Sequence, residues 1–206
     1  GKPKIRPGAD CGYKAAAAAS SQPVVMGTVG AGAGATVGKS GGQGRRPMKG
    51  GLGSASIKMP NGLVVGAIVA VNSVGDIIDP YTGKVVAGAI NPDDTFADAR
   101  ILMRTGANLQ RGRPGENTTI GLVATNAKLT KAQVTKVAQM ADDGFARAIN
   151  PAHTAGDGDT IFALATGHFE GDVNASMIGA LAAEAMADAL LAAVREATSA
   201  GGVKAV

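Results

Sequence analysis

Residues 52–72 read "LGSASIKMPNGLVVGAIVAVN". Small and apolar side chains alternate up to Met59, "PNG" offers a tight turn, and every position from Leu63 to Val71 is apolar or glycine. Two such runs about a short turn predict a β-hairpin. A strand with no polar face is predicted to be covered on both sides. The fold must therefore supply a layer above and a layer below this strand.

Other segments can supply them. "TTIGLVATN" (118–126) and "DTIFALATG" (159–167) read as two further apolar strands. Between them Thr130 and Gln133 match a capping box, and Val134, Val137, Ala138, Ala141, Phe145 and Ala148 follow at helical spacing. An Ala-rich helix is predicted from Val173 to Glu196, with Met177, Ile178, Leu181, Ala185, Leu190 and Val194 as its apolar stripe. Its small side chains allow close seating on a sheet. Glu184, Asp188 and Arg195 interrupt it, which argues against a membrane span. Helices are also predicted over 10–22, with Asp10 as N-cap, and over 93–103 behind an Asp cap. Residues 24–38 read as extended chain; 40–51 and 104–117 read as loops. Helices placed between hairpin-linked strands predict an α/β fold, a four-layer αββα sandwich. The 206 residues suit one domain, and no internal repeat is visible.

Composition narrows the function. The chain is 45% hydrophobic but 3% aromatic, so aliphatic residues must fill the core. Net charge is +4, no basic run exceeds two residues, and Trp is absent. That combination lacks the clustered basic face and stacking platforms of a nucleic-acid binder. A single cysteine, Cys11, excludes an internal disulfide framework and fits a reducing compartment, hence a cytoplasmic location. Cys11 itself reads as a small core residue.

Conventional catalytic equipment is sparse. "AGATVGKS" (33–40) comes close to a phosphate-binding loop, but Ala33 stands where its first glycine belongs and "GGQGRRP" cannot continue as a helix. Lys39 then reads as a solvated loop lysine. His153 and His168 are isolated in the sequence. Asp157 and Asp159, in "HTAGDGDT", admit three readings: an Asp-Gly turn, a metal site, or a carboxylate pair that orients a nucleophile. Thr118 and Thr119 open a strand, as threonine favours. There is a second reading. A cut between Asn117 and Thr118 would free an α-amine with a pKa of about 7.7–8.0, able to act as base on the adjoining hydroxyl.

Three stretches, "TVGAGAGATVGK", "GENTTIGLVATNAKLTKAQ" and "NPAHTAGDGDTIFALATG", with "VAVNSVGD" among them, resemble the L-aminopeptidase/D-esterase family of self-processing N-terminal nucleophile hydrolases. That family includes the nylon-oligomer hydrolases, and the Asn-Thr-Thr junction is similar to their branch; peptidase members usually carry Ser at the cut. The resemblance implies an αββα sandwich cut between Asn117 and Thr118. A larger subunit would hold residues 1–117 and a smaller one 118–206, together forming one domain. It implies Thr118 as nucleophile, Asp157, Asp159 and Lys39 as catalytic groups, and Asn72 in the oxyanion hole. The family pattern carries a further region ahead of "GKPKIRPG", so the chain is expected to hold only part of the fold. A tyrosine used in the nylon branch has no counterpart, since neither Tyr13 nor Tyr81 falls at its place.

The resulting expectation is an amide hydrolase working through an acyl-enzyme, with no metal or organic cofactor. Its substrates would be linear amides: oligomers of 6-aminohexanoate first, short peptides or amino-acid amides and esters second. Its assembly would be a homotetramer of processed protomers, without nucleic-acid or membrane partners. The rivals are a non-enzymatic binding module with "GDGD" as a calcium turn, and an ornithine acetyltransferase-like protein.

Overall fold

A computed structural model describes residues 6–40, 42, 44–106 and 117–206. Its centre is a four-stranded sheet. Strands β3 (Gly51–Lys58) and β4 (Val64–Val71) form the expected hairpin, with Gly51 opposite Val71 and Lys58 opposite Val64. The short strands β1 (Thr36–Val37) and β2 (Met48–Lys49) precede it and pair with each other, β1 within the segment expected to be extended and β2 within one expected to be a loop. Strand β7 (Ile120–Thr125) runs antiparallel to β4, and β9 (Thr160–Ala165) runs parallel to β7 with Ile120 opposite Thr160. The sheet order is β3-β4-β7-β9. A smaller sheet joins β5 (Asp76–Ile78), β6 (Val85–Ala87) and β8 (Ile149–Asn150) in the order β6-β5-β8.

Two helices back the large sheet. Helix α3 (Lys131–Ala148) begins at the predicted capping box: Thr130 Oγ1 accepts from Gln133 N, and Gln133 Oε1 accepts from Thr130 N. Helix α4 (Ala175–Arg195) starts where Asn174 Oδ1 accepts from the N–H groups of Ser176 and Met177. The helices pack on each other, α4 against β3 and β4, and α3 against β9. Helix α4 is long and apolar enough to cross a membrane, yet two thirds of that stretch, 67%, is buried inside this fold. Met177 is the exception on its predicted stripe, at 37% exposure. Gly51 and Gly53 make the close approach possible: a Cβ at either would strike the α4 carbonyls of Ala193 or Ala189. Phe145, Ile178, Met186, Leu190, Val65, Val69 and Val123 are buried in this layer. Burial of each large aliphatic or aromatic side chain contributes roughly 1.5–3 kcal/mol.

The expectation of strands covered on both sides is corrected. Burial alternates along β4 and β7, with Val65, Ala67, Val69, Val71 and Val123 toward the helices. The opposite face is open: Ile120, Phe162 and Leu164 are 51%, 60% and 41% exposed. The described residues build one helical layer and one large sheet of the αββα arrangement, and they leave that face of the large sheet uncovered.

Three local expectations also change. Helix α1 spans Ala9–Ala17 and begins at Gly8; Asp10 lies in its first turn and pairs with Lys14. None of its residues is buried, so its alanines have no layer to extend against, and Cys11 is exposed. The helix predicted over 93–103 is α2 (Ala99–Arg104), capped by Asp98, whose side chain accepts from Arg100 N. Residues 91–97 instead form a turn closed by Asn91 N to Thr95 O and Ala97 N to Ala89 O. For the loop expected over 104–117, residues 107–116 lie outside the described ones.

Asp76 joins β5 to α2. It is fully buried and accepts from Ala89 N at 2.9 Å and Ala99 N at 2.7 Å. Burial pushes its carboxyl up to about 6, against the pull of those two N–H groups. The native state therefore holds this proton more tightly than the unfolded chain. The stability tied to it is full below the ordinary value of 3.8 and is lost as pH rises through about 6. The stability advantage of wild type over Asp76→Asn should shrink by up to about 3 kcal/mol between pH 4 and pH 7, measured by urea denaturation.

Candidate active site

The parallel ladder between β7 and β9 continues backward past the strand ends into the Asn117–Thr118 junction. Thr160 N donates to Thr119 O at 3.0 Å, and Gly158 N donates to Asn117 O at 2.9 Å. Asn117 bridges Asp157 in parallel and is buried. On the other side Thr118 N donates to Asn72 O at 3.1 Å. Both polar groups of the Asn117–Thr118 peptide are thus engaged by backbone. Thr119 is fully buried while Thr118 is half-buried, so the two side chains take opposite faces, as strand alternation demands.

Thr118 and Asn72 share an open cavity of about 350 Å³, walled by Ala31, Ala35, Ala70 and Ile120 among others. Asn72 sits just past the end of β4. Its Oδ1 accepts from Thr36 N at 3.2 Å and from Lys39 Nζ at 2.7 Å; Lys39 Nζ also reaches Asn72 O at 3.1 Å. With Oδ1 committed to two donors, the Asn72 amide is fixed so that Nδ2 is its donor end. Lys39 is therefore not a solvated loop lysine. It is half-buried and grips Asn72 by side chain and backbone. The segment that mimics a phosphate loop forms β1 and leads toward β2.

The two carboxylates serve different groups. Asp157 Oδ2 accepts from Thr154 N at 2.9 Å and Thr154 Oγ1 at 2.7 Å. Asp159 Oδ1 accepts from Thr119 N at 2.9 Å. Asp157 Oδ1 and Asp159 Oδ2 are buried and have no hydrogen-bond partner among the described residues, nor do Asn117 Oδ1 and Nδ2. Burial raises the Asp159 pKa most, and the Asp157 charge adds to it; the Thr119 N–H and His153 pull it down. Among the described residues no group of three or more His, Cys, Asp or Glu could hold a metal ion. Tyr13 and Tyr81 are exposed and do not line the cavity.

The structure thus brings together Lys39 with Asn72, Asn72 with Thr118, and Asp157 and Asp159 with Asn117 and Thr119. Three residues escaped the sequence reading. His153, expected to be isolated, lies between Asp142 and Asp159. Buried Lys49 donates to Ala33 O at 2.8 Å beside the cavity wall, and burial lowers its pKa. Gly158 was legible only as a turn glycine, yet a Cβ there would lie 2.7 Å from Thr118 Oγ1.

The architecture is that of the N-terminal nucleophile hydrolases. The L-aminopeptidase D-Ala-esterase/amidase of Ochrobactrum anthropi, described as a variant among that fold, matches with a TM-score of 0.60 and 21% identity over 91% of this chain and 51% of its own. A beta-aminopeptidase from Burkholderia sp. matches with a TM-score of 0.64 and 25% identity, over 94% of this chain and 54% of its own. The family model of peptidase family S58 matches residues 7–206, and the chain belongs to that family. An uncharacterised aminopeptidase of Mycobacterium leprae (strain TN) is 41% identical over 224 residues, covering 96% of this chain. The chain spans 58% of that relative's length. A 6-aminohexanoate-oligomer endohydrolase of Paenarthrobacter ureafaciens is 33% identical over 141 residues, covering 62% of this chain and 39% of the relative.

Gly158 gives this geometry a direct test. Gly158→Ala places a methyl against the Thr118 hydroxyl and must displace it. A reaction that depends on that hydroxyl, probed with an amino-acid p-nitroanilide, should slow by about 10²-fold, the penalty typical of a misplacement near 1 Å. An unchanged rate would separate the Thr118 hydroxyl from the chemistry.

Proposed function

We propose that the chain is the greater part of a self-cleaving amide hydrolase whose nucleophile is Thr118. One observation carries this reading: the Asn117–Thr118 peptide is clamped by Gly158 N–H and the Asn72 carbonyl, with the Thr118 hydroxyl against Gly158. In the uncut chain Thr118 Oγ1 attacks the Asn117 carbonyl carbon. The C–N bond breaks, the nitrogen takes up the proton, and an ester links Asn117 to Oγ1. Water opens it, leaving residues 1–117 and 118–206 as the two subunits of one domain.

The freed amine of Thr118 then serves as base for its own hydroxyl. The hydroxyl attacks a substrate amide, and the donor end of Asn72 stabilises the oxyanion; one such donor is worth roughly 2.7–4 kcal/mol in other acyl-transfer enzymes. Lys39 holds Asn72 and adds positive charge. Asp159 holds Thr119, and through it Thr118; Asp157 shapes the loop that carries Gly158. The amine proton passes to the leaving nitrogen, and water releases the acyl group.

The relatives that cover nearly the whole chain bear the name aminopeptidase, whereas the nylon-oligomer enzymes match a smaller share. Short peptides and amino-acid amides are therefore the first substrates to test, and 6-aminohexanoate oligomers the second. We also propose a homotetramer. The motive is a modest net charge of +4 together with the exposed Phe162 and Leu164. Light scattering at micromolar concentration should give four processed protomers; a monomer would refute it.

Intact mass and N-terminal sequencing test the central claim. Wild type should yield two fragments, the second beginning at Thr118; a binding module would remain one chain. Thr118→Ala should fold, stay whole and lose turnover by about 10⁴-fold. Thr118→Ser should retain part of both activities, and Thr119→Ala should still be cut. Cleavage of Thr118→Ala after Asn117 would sink the proposal. Acetyl transfer in place of hydrolysis would favour the acetyltransferase reading.

A further inference from the structure

We propose that His153 is a positioning residue: as an imidazolium it steadies, across an ion-pair distance, the Asp159 carboxylate that holds Thr119, and Asp142 steadies His153 in turn. This rests on the reading of Thr118 as nucleophile. His153 Nδ1 lies 3.6 Å from Asp159 Oδ2, and His153 Nε2 lies 3.7 Å from Asp142 Oδ2 on α3. The three side chains form a line from the surface inward, with Asp142 46%, His153 39% and Asp159 3% exposed. The inner carboxylate is already engaged through its other oxygen by Thr119 N.

The imidazole is held in place at a conformational cost. His153 has φ of 54°, a left-handed backbone that non-glycine residues seldom adopt. Its ring lies over the ring of buried Phe145, with centroids 6.2 Å apart and planes 25° from parallel. The strained backbone and the packed ring together set where the imidazole points.

The electrostatic consequence has a definite sign. Asp157, and His153 when protonated, are the charged side chains that bear on Asp159, and Asp142 bears on His153. Asp157 disfavours the Asp159 anion and an imidazolium at 153 favours it. Without that charge, buried Asp159 binds its proton at higher pH. A neutral carboxyl holds Thr119 N–H less firmly, because charge strengthens such hydrogen bonds.

The test uses the full-length protein, His153→Asn and Asp142→Asn, with L-alanine p-nitroanilide as probe. Asparagine tolerates the left-handed backbone and carries no charge. The acid limb of kcat/KM, along which the Thr118 amine loses its proton and Asp159 becomes an anion, should move up in His153→Asn, with kcat reduced on the acid side and KM little changed. Asp142→Asn, at a half-buried site, should move the limb the same way by less. Profiles that overlay wild type in His153→Asn overturn the inference. If that variant does not fold, an unmoved limb in Asp142→Asn overturns it. Activity in Thr118→Ala would defeat the underlying reading and this inference with it. An inactive Thr118→Ala beside an unmoved His153→Asn would defeat this inference alone.

Discussion

The seating of α4 on β3 governs the rest of the structure. With a single large aromatic side chain, Phe145, fully buried, the core gains its density from closeness, not from bulk. Gly51 and Gly53 admit the α4 backbone almost onto the strand, and the alanines of α4 keep it there. Wherever α4 lies, α3 follows, and α3 presents Phe145 and Asp142 to the loop that bears His153 and the two aspartates.

From that platform the sheet delivers the site by simple continuation. Parallel pairing of β7 and β9 extends backward to place Asn117 beside Asp157, in the loop that leads into β9. Antiparallel pairing of β4 and β7 carries Asn72 to the same end of the sheet, where its carbonyl meets Thr118 N. Strand register therefore assembles the candidate site. A one-residue slip of β9 would put Gly158 or Thr160, neither of them a carboxylate, where Asp159 meets Thr119.

Local signals were legible where they involve a few neighbouring residues. The hairpin at 52–72, the capping box at Thr130 and the apolar helix after Asn174 all appear as read. Burial on both faces of β4 was not, because side-chain chemistry shows what a strand tolerates and not how much of its cover this chain contains. Asp98 was read as part of a longer helix because Asp93 and Asp98 are equally good caps in isolation; the buried Asp76 carboxylate, through Ala99 N–H, decides for the later one. At the site, Thr118, Asp157, Asp159, Asn72 and Lys39 could be singled out by resemblance, and the Lys39–Asn72 grip explains why a lysine stands there. His153 and Gly158 could not, since the partners that give them meaning are Asp142, Phe145 and Thr118, all distant in sequence or met only across strands.

The burial of Asn117 bears on the direction of the reaction proposed for its peptide. While the chain is whole, that residue is neutral and sits beside Asp157, with Asp159 two residues further on. A cut would turn its carbonyl into a third negative charge in a space nearly closed to water. An uncompensated buried charge costs several kcal/mol, and like charges nearby add to that. Once the Thr118 amine freed by the same cut is neutral and no longer offsets it, the new terminus would be driven outward and religation opposed by the same field. Cleavage at this position would work as a ratchet, with the electrostatics of Asp157 and Asp159 acting as its pawl.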